Sequence, residues 1–356
     1  MSPDVQQSLS RGQRWLKENT KRHAFRKLDK EIIQSGICTE CGACVSNCPV
    51  EVLVGNRTSG RFVPTLIGEC VSCGMCYAIC PRTKVLWSEL VGEFRSAWKV
   101  RSFNETGKRQ DGGAVTAFLT YVLDQAIADG AVVACHDPKS PWLPVAKLVT
   151  DKNKLPKCGG TIYTHAPVVQ EMMRGYREGF STICVVGTSC SIDAIDNMEK
   201  HPAGYFQMDM SADVIKIGLF CMESFDYVGL AQFLKDKGID IKDIDRMAIS
   251  SGKFRVVVSG KEIEWSVGDL NPVAAKSCSY CQDLTCKNAD ISCGNIGSEE
   301  GWTTVLIRTI QGEHIFQETL AAGLIEANLL EAKSLRIIER IAQSKAIRHY
   351  KLRPSH

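Results

Sequence analysis

The segments CTECGACVSNCP (Cys38–Pro49) and CVSCGMCYAICP (Cys70–Pro81) specify the architecture at the N-terminal end of this 356-residue chain. Both have the spacing C-x2-C-x2-C-x3-C-P, which holds [4Fe–4S] cubes in iron–sulfur proteins. The short spacings place three cysteines around one cube, whereas the fourth cysteine reaches the neighbouring cube. The predicted ligand sets are therefore crossed: Cys38, Cys41, Cys44 and Cys80 for one cluster, and Cys70, Cys73, Cys76 and Cys48 for the other.

A zinc site and a disulfide framework are the alternatives for these eight cysteines. A zinc site uses four ligands in two C-x2-C pairs, not eight ligands in two repeated runs. We therefore predict a bacterial-ferredoxin-like α+β domain over residues 36–94. Within it, the Gly55-Asn56 and Ser59-Gly60 pairs predict turns in a loop, 50–69, that links the two halves.

The amino-acid composition and the apolar segments limit the class of protein and its location in the cell. The chain is 44% hydrophobic and 23% charged, and its net charge of +3 does not indicate nucleic-acid binding. Residues 1–35 lack the apolar core of a signal peptide, and no apolar run approaches the roughly 18 residues of a membrane span. We expect a cytoplasmic protein, either free or attached peripherally to the cytoplasmic face of a membrane. Disulfides are not expected in that reducing compartment.

Both ends of the chain are basic. Residues 1–35 form a predicted arm, in which 11–31 combines eight Lys or Arg side chains with apolar residues at helical spacing. Residues 328–356 form a predicted C-terminal helix, whose basic residues are Lys333, Arg336, Arg340, Lys345, Arg348, Lys351 and Arg353. Each end is interpreted either as a solvated helix face or as a docking surface for an acidic partner or a membrane.

Residues 95–327 alternate predicted strands with helices, which is typical of a mixed α/β domain. The predicted helices are 115–128 and those within 318–347. The predicted strands are 131–135, 146–150, 183–186, 214–220, the hairpin of 253–258 and 262–267, and 303–310.

A second group of cysteines follows these strands. Cys190 and Cys221 each follow a predicted strand, where ligands gather in α/β proteins, and Cys278 and Cys281 form a C-x2-C pair. These four thiolates could hold a third [4Fe–4S] cluster. Cys286 and Cys293 compete with Cys190 and Cys221 for two of the positions, and small buried hydrophobes are the alternative for all of them. Three further cysteines are interpreted as structural: Cys135, Cys158 and Cys184.

Six motifs in order resemble a known family over about residues 95–310. They are Gly112-Gly113-Ala114-Val115-Thr116-Ala117, Cys158-Gly159-Gly160-Thr161-Ile162-Tyr163, Val186-Gly187-Thr188-Ser189-Cys190, Gly218-Leu219-Phe220-Cys221, Cys278–Asp283 and 289–297. Together they resemble the family of beta subunits of coenzyme F420-reducing hydrogenase and coenzyme F420 dehydrogenases. Ser189 stands where that family usually has proline, and Cys286 and Cys293 are additional, so the ligands of the third cluster stay open.

The resemblance implies an archaeal flavoprotein of methanogenesis, with FAD beside an iron–sulfur cluster and coenzyme F420 as substrate. A flavin accepts a hydride and releases single electrons, which [4Fe–4S] clusters conduct. Gly112, Gly113 and Thr116 open a predicted helix where backbone amides would approach a phosphate; a simple turn is the alternative. A second candidate cofactor-binding loop consists of Gly294, Asn295 and Gly297.

The pocket for coenzyme F420 is expected to be basic, because this substrate is anionic. The available cations are Lys276, Lys287, Arg82 and Lys108. Three isolated histidines are interpreted as structural: His136, His165 and His201. Since hydride transfer needs no protein nucleophile, no catalytic residue is predicted.

The predicted function is an input subunit that oxidises reduced coenzyme F420 and passes electrons to a partner complex. That partner is either a membrane dehydrogenase core or a soluble reductase. One alternative is a related reductase that runs electrons inward from ferredoxin to another substrate. The other is an electron-transfer subunit without flavin.

Overall fold

The computed structural model describes residues 25–34, 36–82, 90–103, 111–208 and 211–351. Most of the predicted N-terminal arm, together with Lys108, lies outside these residues. The described chain consists of a small cysteine-rich module and a large mixed α/β domain built on an eight-stranded sheet.

The cysteine-rich module contains one hairpin and three short helices. The hairpin is β1 (Leu53–Thr58) and β2 (Arg61–Leu66), and the helices are α1 (Phe25–Leu28, continued as a π-turn over Asp29–Ile33), α2 (Ala43–Ser46) and α3 (Met75–Ala78). The expectation of a loop over 50–69 is therefore wrong. The turn lies at Ser59-Gly60, but Gly55 belongs to β1, where a Cβ atom would lie 1.8 Å from Cζ of Phe62. Gly55 thus makes room for a ring from the opposite strand.

The two cysteine runs repeat the same backbone geometry. Gly42 (φ 84°) precedes α2, and Gly74 (φ 81°) precedes α3. Glu40 and Ser72 occupy equivalent positions, with φ 59° and 54°. Left-handed residues at matching positions wrap each run into a tight loop.

The large sheet mixes parallel and antiparallel strands, as its sequence pattern predicted. Its strands are β3 (Ser96–Ser102), β4 (Gly130–His136), β5 (Pro144–Val149), β6 (Thr182–Thr188), β7 (Asp213–Leu219), β11 (Ile291–Gly294), β12 (Thr303–Ile307) and β13 (Ile325–Leu329). The spatial order is β13-β3-β12-β11-β7-β6-β4-β5, in which β11, β7, β6 and β4 are parallel. The carboxyl ends of these four strands therefore share one edge, where ligands bind in α/β sheets.

The helices cover both faces of the large sheet. Those that pack on it are α4 (Ala114–Asp124), α5 (Val168–Arg177), α6 (Ser189–Lys200) and α9 (Ile310–Ala321), and the other helices are α7 (Tyr205–Met208), α8 (Tyr227–Asp236) and α10 (Ala332–Lys351). One hydrophobic core centres on α4 and α9, and the other on α5 and α6. Burial of these apolar faces is the main force that holds the layers together.

A smaller antiparallel sheet packs separately beside α8. It contains β8 (Ile244–Ser250), β9 (Lys253–Val258) and β10 (Lys261–Ser266), so the predicted hairpin is confirmed. A third core fills the space between this sheet and α8.

The C-terminal part differs from its prediction. The strand predicted over 303–310 ends at Ile307, and a further strand, β13, separates α9 from α10. β13 pairs with β3, which is distant in sequence, and forms one edge strand of the large sheet. The segment 324–330 mixes apolar residues with Glu326 and Asn328 and is too short to distinguish a helix from a strand, so the long-range pairing decides between them.

Cys135 and Cys158 form a disulfide, which contradicts the expectation of a chain without disulfides. Cys135 lies in β4, and Cys158 ends a 3-10 segment, Lys152–Cys158. Their Cα atoms are 4.4 Å apart because this segment packs against β4 and α4. The expectation rested on a reducing compartment, which says nothing about whether two cysteines lie close together. Their proximity arises from packing.

The module is seated on the large domain through close backbone contacts. A Cβ atom on Gly42 would lie 2.8 Å from Cβ of Gln170 in α5. Arg177 Nη2 donates to the Ser46 carbonyl at 2.5 Å, and Arg57 Nη2 donates to the Pro144 carbonyl at 2.6 Å. The cysteine runs consequently face the sheet edge that carries Cys190.

Candidate functional site

The first crossed set of cysteines is grouped in the structure. Burial raises the pKa of Cys38, and its nearest thiols, Cys41 and Cys80, raise it further. Burial likewise raises the pKa of Cys44, followed by the charges of Cys38, Cys41, Cys76 and Cys80. Cys80 from the second run therefore lies with three cysteines of the first.

The second crossed set surrounds one cavity. Cys48, Cys70, Cys73 and Cys76 all line it, together with apolar residues such as Phe25 and Val71. Burial raises the pKa of Cys76, and Cys73, Cys70 and Cys48 raise it further. Cys48 thus lies with the other run, as the spacing predicts. The influence of Cys76 on Cys44 shows that the two sets adjoin.

A third group of thiols lies at the carboxyl edge of the large sheet. Cys190 is the second residue of α6, directly after β6, and Cys221 follows β7. Cys278 and Cys281 lie in and just after a 3-10 turn, Lys276–Tyr280. After burial and Lys345, the thiols of Cys278, Cys190 and Cys281 have the largest influence on the pKa of Cys221. All four candidate cysteines therefore share one site.

The two competing cysteines lie elsewhere. Cys286 packs beneath β7, where a Cβ atom on Gly218 would lie 2.3 Å from its Sγ atom. Cys293 belongs to β11, and burial alone raises its pKa. Neither is grouped with Cys278 and Cys281 in the structure.

His165 contacts two thiols of the third group. Burial would lower its pKa, but hydrogen bonds with Cys190 and Cys278 raise it well above its usual value. Burial alone would raise the pKa of Cys190, yet the hydrogen bond and charge of His165 lower it to about 6. The same histidine lowers the pKa of Cys278 against burial. The pair therefore favours an imidazolium beside thiolates, which are the form that binds iron.

Arg82 connects the cysteine-rich module to the third group. It follows Cys80-Pro81, is 9% exposed, and its Nη1 donates to the Tyr280 carbonyl at 3.4 Å. Burial would lower its pKa, but Cys281, Cys190 and Cys278 raise it. Burial raises the pKa of Cys41, and Cys190 raises it further, whereas the Arg82 guanidinium opposes this rise. Arg82 therefore stands between the first cysteine set and the third group.

Lys345 reaches the third group from the C-terminal helix. It is 2% exposed, and its Nζ donates to the carbonyls of Cys221 at 2.5 Å and Asp283 at 2.6 Å. The docking and solvent interpretations are thus wrong for this residue. It continues the inward face of Ile338 and Ala342 at helical spacing, which was the available sequence signal.

Two carboxyl groups border the same site. The Asp283 carboxylate accepts hydrogen bonds from the backbone amides of Thr285, Cys286 and Lys287. Burial and the nearby Asp283 raise the pKa of Asp193 to about 8. Burial and a neighbouring carboxylate both disfavour the charged form of Asp193.

Buried polar atoms without a hydrogen-bond partner concentrate around the third group. Four of the five found among the described residues adjoin it: Arg82 Nε, Thr164 Oγ1, Ser277 Oγ and Gln282 Nε2. Unpartnered polar atoms are costly in a protein interior, whereas the sulfur atoms of an iron–sulfur cluster accept hydrogen bonds. The donors present therefore fit such a group.

Three of the four candidate cofactor-binding glycines, Gly112, Gly294 and Gly297, closely approach another part of the protein. A Cβ atom on Gly112 would lie 2.4 Å from the Val100 carbonyl oxygen, and one on Gly294 would lie 2.3 Å from the Phe220 ring. Gly297 (φ 97°) similarly approaches Ile338 at 3.0 Å. Gly113 (φ 73°) is the N-cap of α4, with Thr116 in the first turn, and makes no side-chain cap. Asn295 Nδ2 donates to the Ile249 carbonyl at 3.3 Å.

The remaining cationic candidates are dispersed. Lys276 is exposed and packs near Gly36, and Lys287 is half-buried. Among the described residues, no three His, Cys, Asp or Glu side chains converge on one metal ion. The four thiolates of a [4Fe–4S] cube bind separate corners and do not converge on one ion. The absence of convergence among the described residues therefore bears only on sites for a single metal ion. No helix in the described ranges has the length and apolarity to cross a membrane.

The fold and the grouped cysteines define an iron–sulfur protein with a mixed α/β domain. Residues 37–86 match the 4Fe-4S dicluster domain. Residues 97–172 and 180–333 match the N-terminal and C-terminal parts of the coenzyme F420 hydrogenase/dehydrogenase beta subunit.

Individual relatives agree with these matches. The chain is 30% identical to coenzyme F420 hydrogenase subunit beta of Methanothermobacter thermautotrophicus, over 72% of this chain and 92% of that protein. It is 29% identical to a subunit of the F(420)H(2) dehydrogenase of Methanosarcina mazei, over 80% and 83%. The chain belongs to the family of coenzyme F420 hydrogenase/dehydrogenase beta subunits.

A solved structure shares the fold. A chain of the F420-reducing [NiFe] hydrogenase complex from Methanosarcina barkeri superimposes with a TM-score of 0.69 and 28% sequence identity. The match covers 75% of this chain and 94% of that chain. The resemblance stated from the six motifs is thus confirmed.

Proposed function

We propose that this chain oxidises reduced coenzyme F420 with FAD and passes the electrons singly through [4Fe–4S] clusters to a partner. The family supports the substrate, since its members here are named as coenzyme F420 hydrogenase and F(420)H(2) dehydrogenase subunits. The observation that carries the proposal is the uninterrupted series of thiol groups from the sheet edge to the outer module.

The series has three members in a fixed order. The third group adjoins Arg82, which adjoins Cys41 of the first crossed set. Cys44 of that set adjoins Cys76 of the second. The second set then approaches the surface, because Cys70 and Cys73 are half-buried and Val71 between them is exposed. We assign one [4Fe–4S] cluster to each group, with Cys190, Cys221, Cys278 and Cys281 as ligands of the third.

The residues at the start of α4 are suited to a cofactor phosphate. Gly113 leaves the first backbone amides of this 11-residue helix without a side-chain cap, and its first turn contains no acidic residue. Amides at a helix N-terminus attract phosphate through their partial positive charge. Gly113 and Thr116 would hold a phosphate of FAD, and Gly112 keeps the turn against β3. FAD supplies the exchange between a hydride and single electrons.

The acceptor would dock near the second crossed set. We propose an electron-accepting complex, either a membrane dehydrogenase core or a soluble reductase. The protein would then be cytoplasmic, or peripheral on the cytoplasmic face of the membrane.

The test begins with anaerobically purified protein. We expect about twelve irons per chain, four for each cluster, and one FAD. Mixing with reduced coenzyme F420 should restore the absorbance of oxidised F420 while the flavin bleaches. Iron without flavin would contradict the proposal and favour a flavin-free electron-transfer subunit. If reduced ferredoxin reduces the flavin and reduced coenzyme F420 does not, the result would favour the related reductase with inward electron flow.

A matched pair of variants tests the flavin site. Gly113→Ala should lower flavin retention, because a side chain at φ 73° distorts the N-terminus of α4. Gly179→Ala is the control, since Gly179 has φ 97° with no atoms within 4 Å of an added Cβ. Equal flavin loss in both variants would contradict the assignment to α4.

A further inference from the structure

Lys345 is a buried cation without a carboxylate partner among the described ion pairs. Its two hydrogen-bond acceptors, the carbonyls of Cys221 and Asp283, are neutral. Removing an ammonium from water is costly unless a nearby negative charge offsets the loss. Because the Lys345 ammonium donates to the carbonyl of Cys221 itself, it lies directly beside the third thiol group. Burial would lower the pKa of Lys345, but the charges of Cys281, Cys221 and Cys278 raise it.

Arg82 presents a second fixed charge to the same thiols from the opposite module. Its closest electrostatic partners are Cys281, Cys190 and Cys278, and its Nε atom has no hydrogen-bond partner. A guanidinium keeps its charge at every physiological pH. Two cations from remote parts of the chain thus converge on one site.

The third group therefore has two fixed, buried cations beside it. Arg82 is 9% exposed and Lys345 is 2% exposed, so solvent screens neither charge strongly. The first crossed set shares Arg82, which adjoins Cys41, but its other buried ion is the carboxylate of Glu40, paired with Arg61 at 2.9 Å. Buried charges are screened weakly, so this difference acts directly on the electron affinity of each centre.

We propose that the positive charges of Arg82 and Lys345 raise the reduction potential of the third cluster, an inference that rests on the third cluster of the proposed function. A [4Fe–4S] cluster with four thiolates is anionic, and one added electron makes it more so. Fixed cations stabilise the reduced state more than the oxidised state, since net charge, burial and hydrogen bonds set these potentials. The third site then collects electrons beside the flavin before the outer module receives them.

The test is a redox titration of the anaerobic full-length chain, followed by electron paramagnetic resonance. Lys345→Met should make reduction of the third cluster about tenfold less favourable, a negative shift of about 59 mV for one electron. Arg82→Gln should shift it in the same direction. Lys345→Arg retains the charge and should restore the wild-type potential. Lys333→Met is the control on the same helix, because that side chain is exposed and paired with Glu331.

Full iron content with an unchanged potential in Lys345→Met and Arg82→Gln would overturn the inference alone. An equal shift in Lys345→Arg and Lys345→Met would also overturn it, because charge would then not be the cause. If Lys345→Met loses the cluster, Arg82→Gln and Arg82→Lys provide the same comparison. A wild-type chain with about eight irons and no third signal would instead overturn the third cluster of the proposed function.

Discussion

The two cysteine-rich regions of this protein are built in opposite ways. The outer module takes its eight cysteines from one stretch, 38–80, and wraps each run with left-handed residues at equivalent positions. The third group takes Cys190, Cys221, Cys278 and Cys281 from three separate segments of the chain. It also receives Arg82 from the module, His165 from a segment before α5, and Lys345 from the last helix.

This contrast would determine at which of the proposed clusters distant side chains can adjust the reduction potential. A loop that wraps a cluster locally leaves few positions for distant charges, and its spacing is already committed to the thiolates. A site assembled at a sheet edge can receive charged side chains from any element that reaches that edge. The third group shows this freedom, since Arg82 comes from the cysteine-rich module and Lys345 from the C-terminal helix.

Removing a ligand of the third group should give the largest effect. Cys281→Ser should lower the iron content by about four and stop electron transfer from the flavin to the outer module. Reduction of the flavin by reduced coenzyme F420 should persist. Iron and sulfide analysis with stopped-flow absorbance measures both. Cys293→Ser is the control, because Cys293 is buried in β11 away from the other thiols. Unchanged iron in Cys281→Ser would mean that this thiol only packs.

Removing a ligand of the outer module should affect a later step. Cys41→Ala should lose about four irons and disable delivery to an external acceptor, while the flavin half-reaction keeps its rate. Electrons should then accumulate at the third cluster, which its signal in a frozen sample would show. Loss of flavin reduction itself in this variant would refute the division into two regions.

The disulfide between β4 and the 3-10 segment should contribute to stability. The double variant Cys135→Ser and Cys158→Ser should lose about 2–4 kcal/mol of unfolding free energy, because the bond closes a loop of sequence separation 23. Anaerobic urea unfolding followed by circular dichroism measures this loss. Wild-type protein treated with reductant should match the variant. Identical midpoints with and without reductant would show that the bond does not form in solution.

The basic N-terminal arm should give the smallest effect. Deleting residues 1–24 spares Phe25 and Leu28, which pack in the module core. We expect transfer to the partner to slow on the order of tenfold at low salt, with unchanged flavin content. The wild-type rate should fall as salt rises, since a Debye length of about 10 Å at 0.1 M screens exposed charge. A truncated chain that binds its partner as tightly as the full chain would refute docking by the arm.

Local sequence patterns were enough to predict the 4Fe-4S dicluster domain, the mixed α/β class and the family. Cysteine spacing carries this information because a short loop can close around a cube in few ways. Alternating apolar runs indicate the strands because side chains alternate across a sheet. The six ordered motifs were sufficient for the family.

The meeting of distant groups, in contrast, follows from tertiary contacts alone. The sequence pattern led us to interpret His165 as structural and Lys345 as part of a basic surface. It did not predict β13 or the Cys135–Cys158 disulfide, and it marked only the Ser59-Gly60 turn of the β1–β2 hairpin. It left Cys286 and Cys293 open, and the structure brings neither to the third group. Apart from the hairpin, these features depend on contacts between separate segments of the chain, and local spacing shows which face is buried but not which surface receives it.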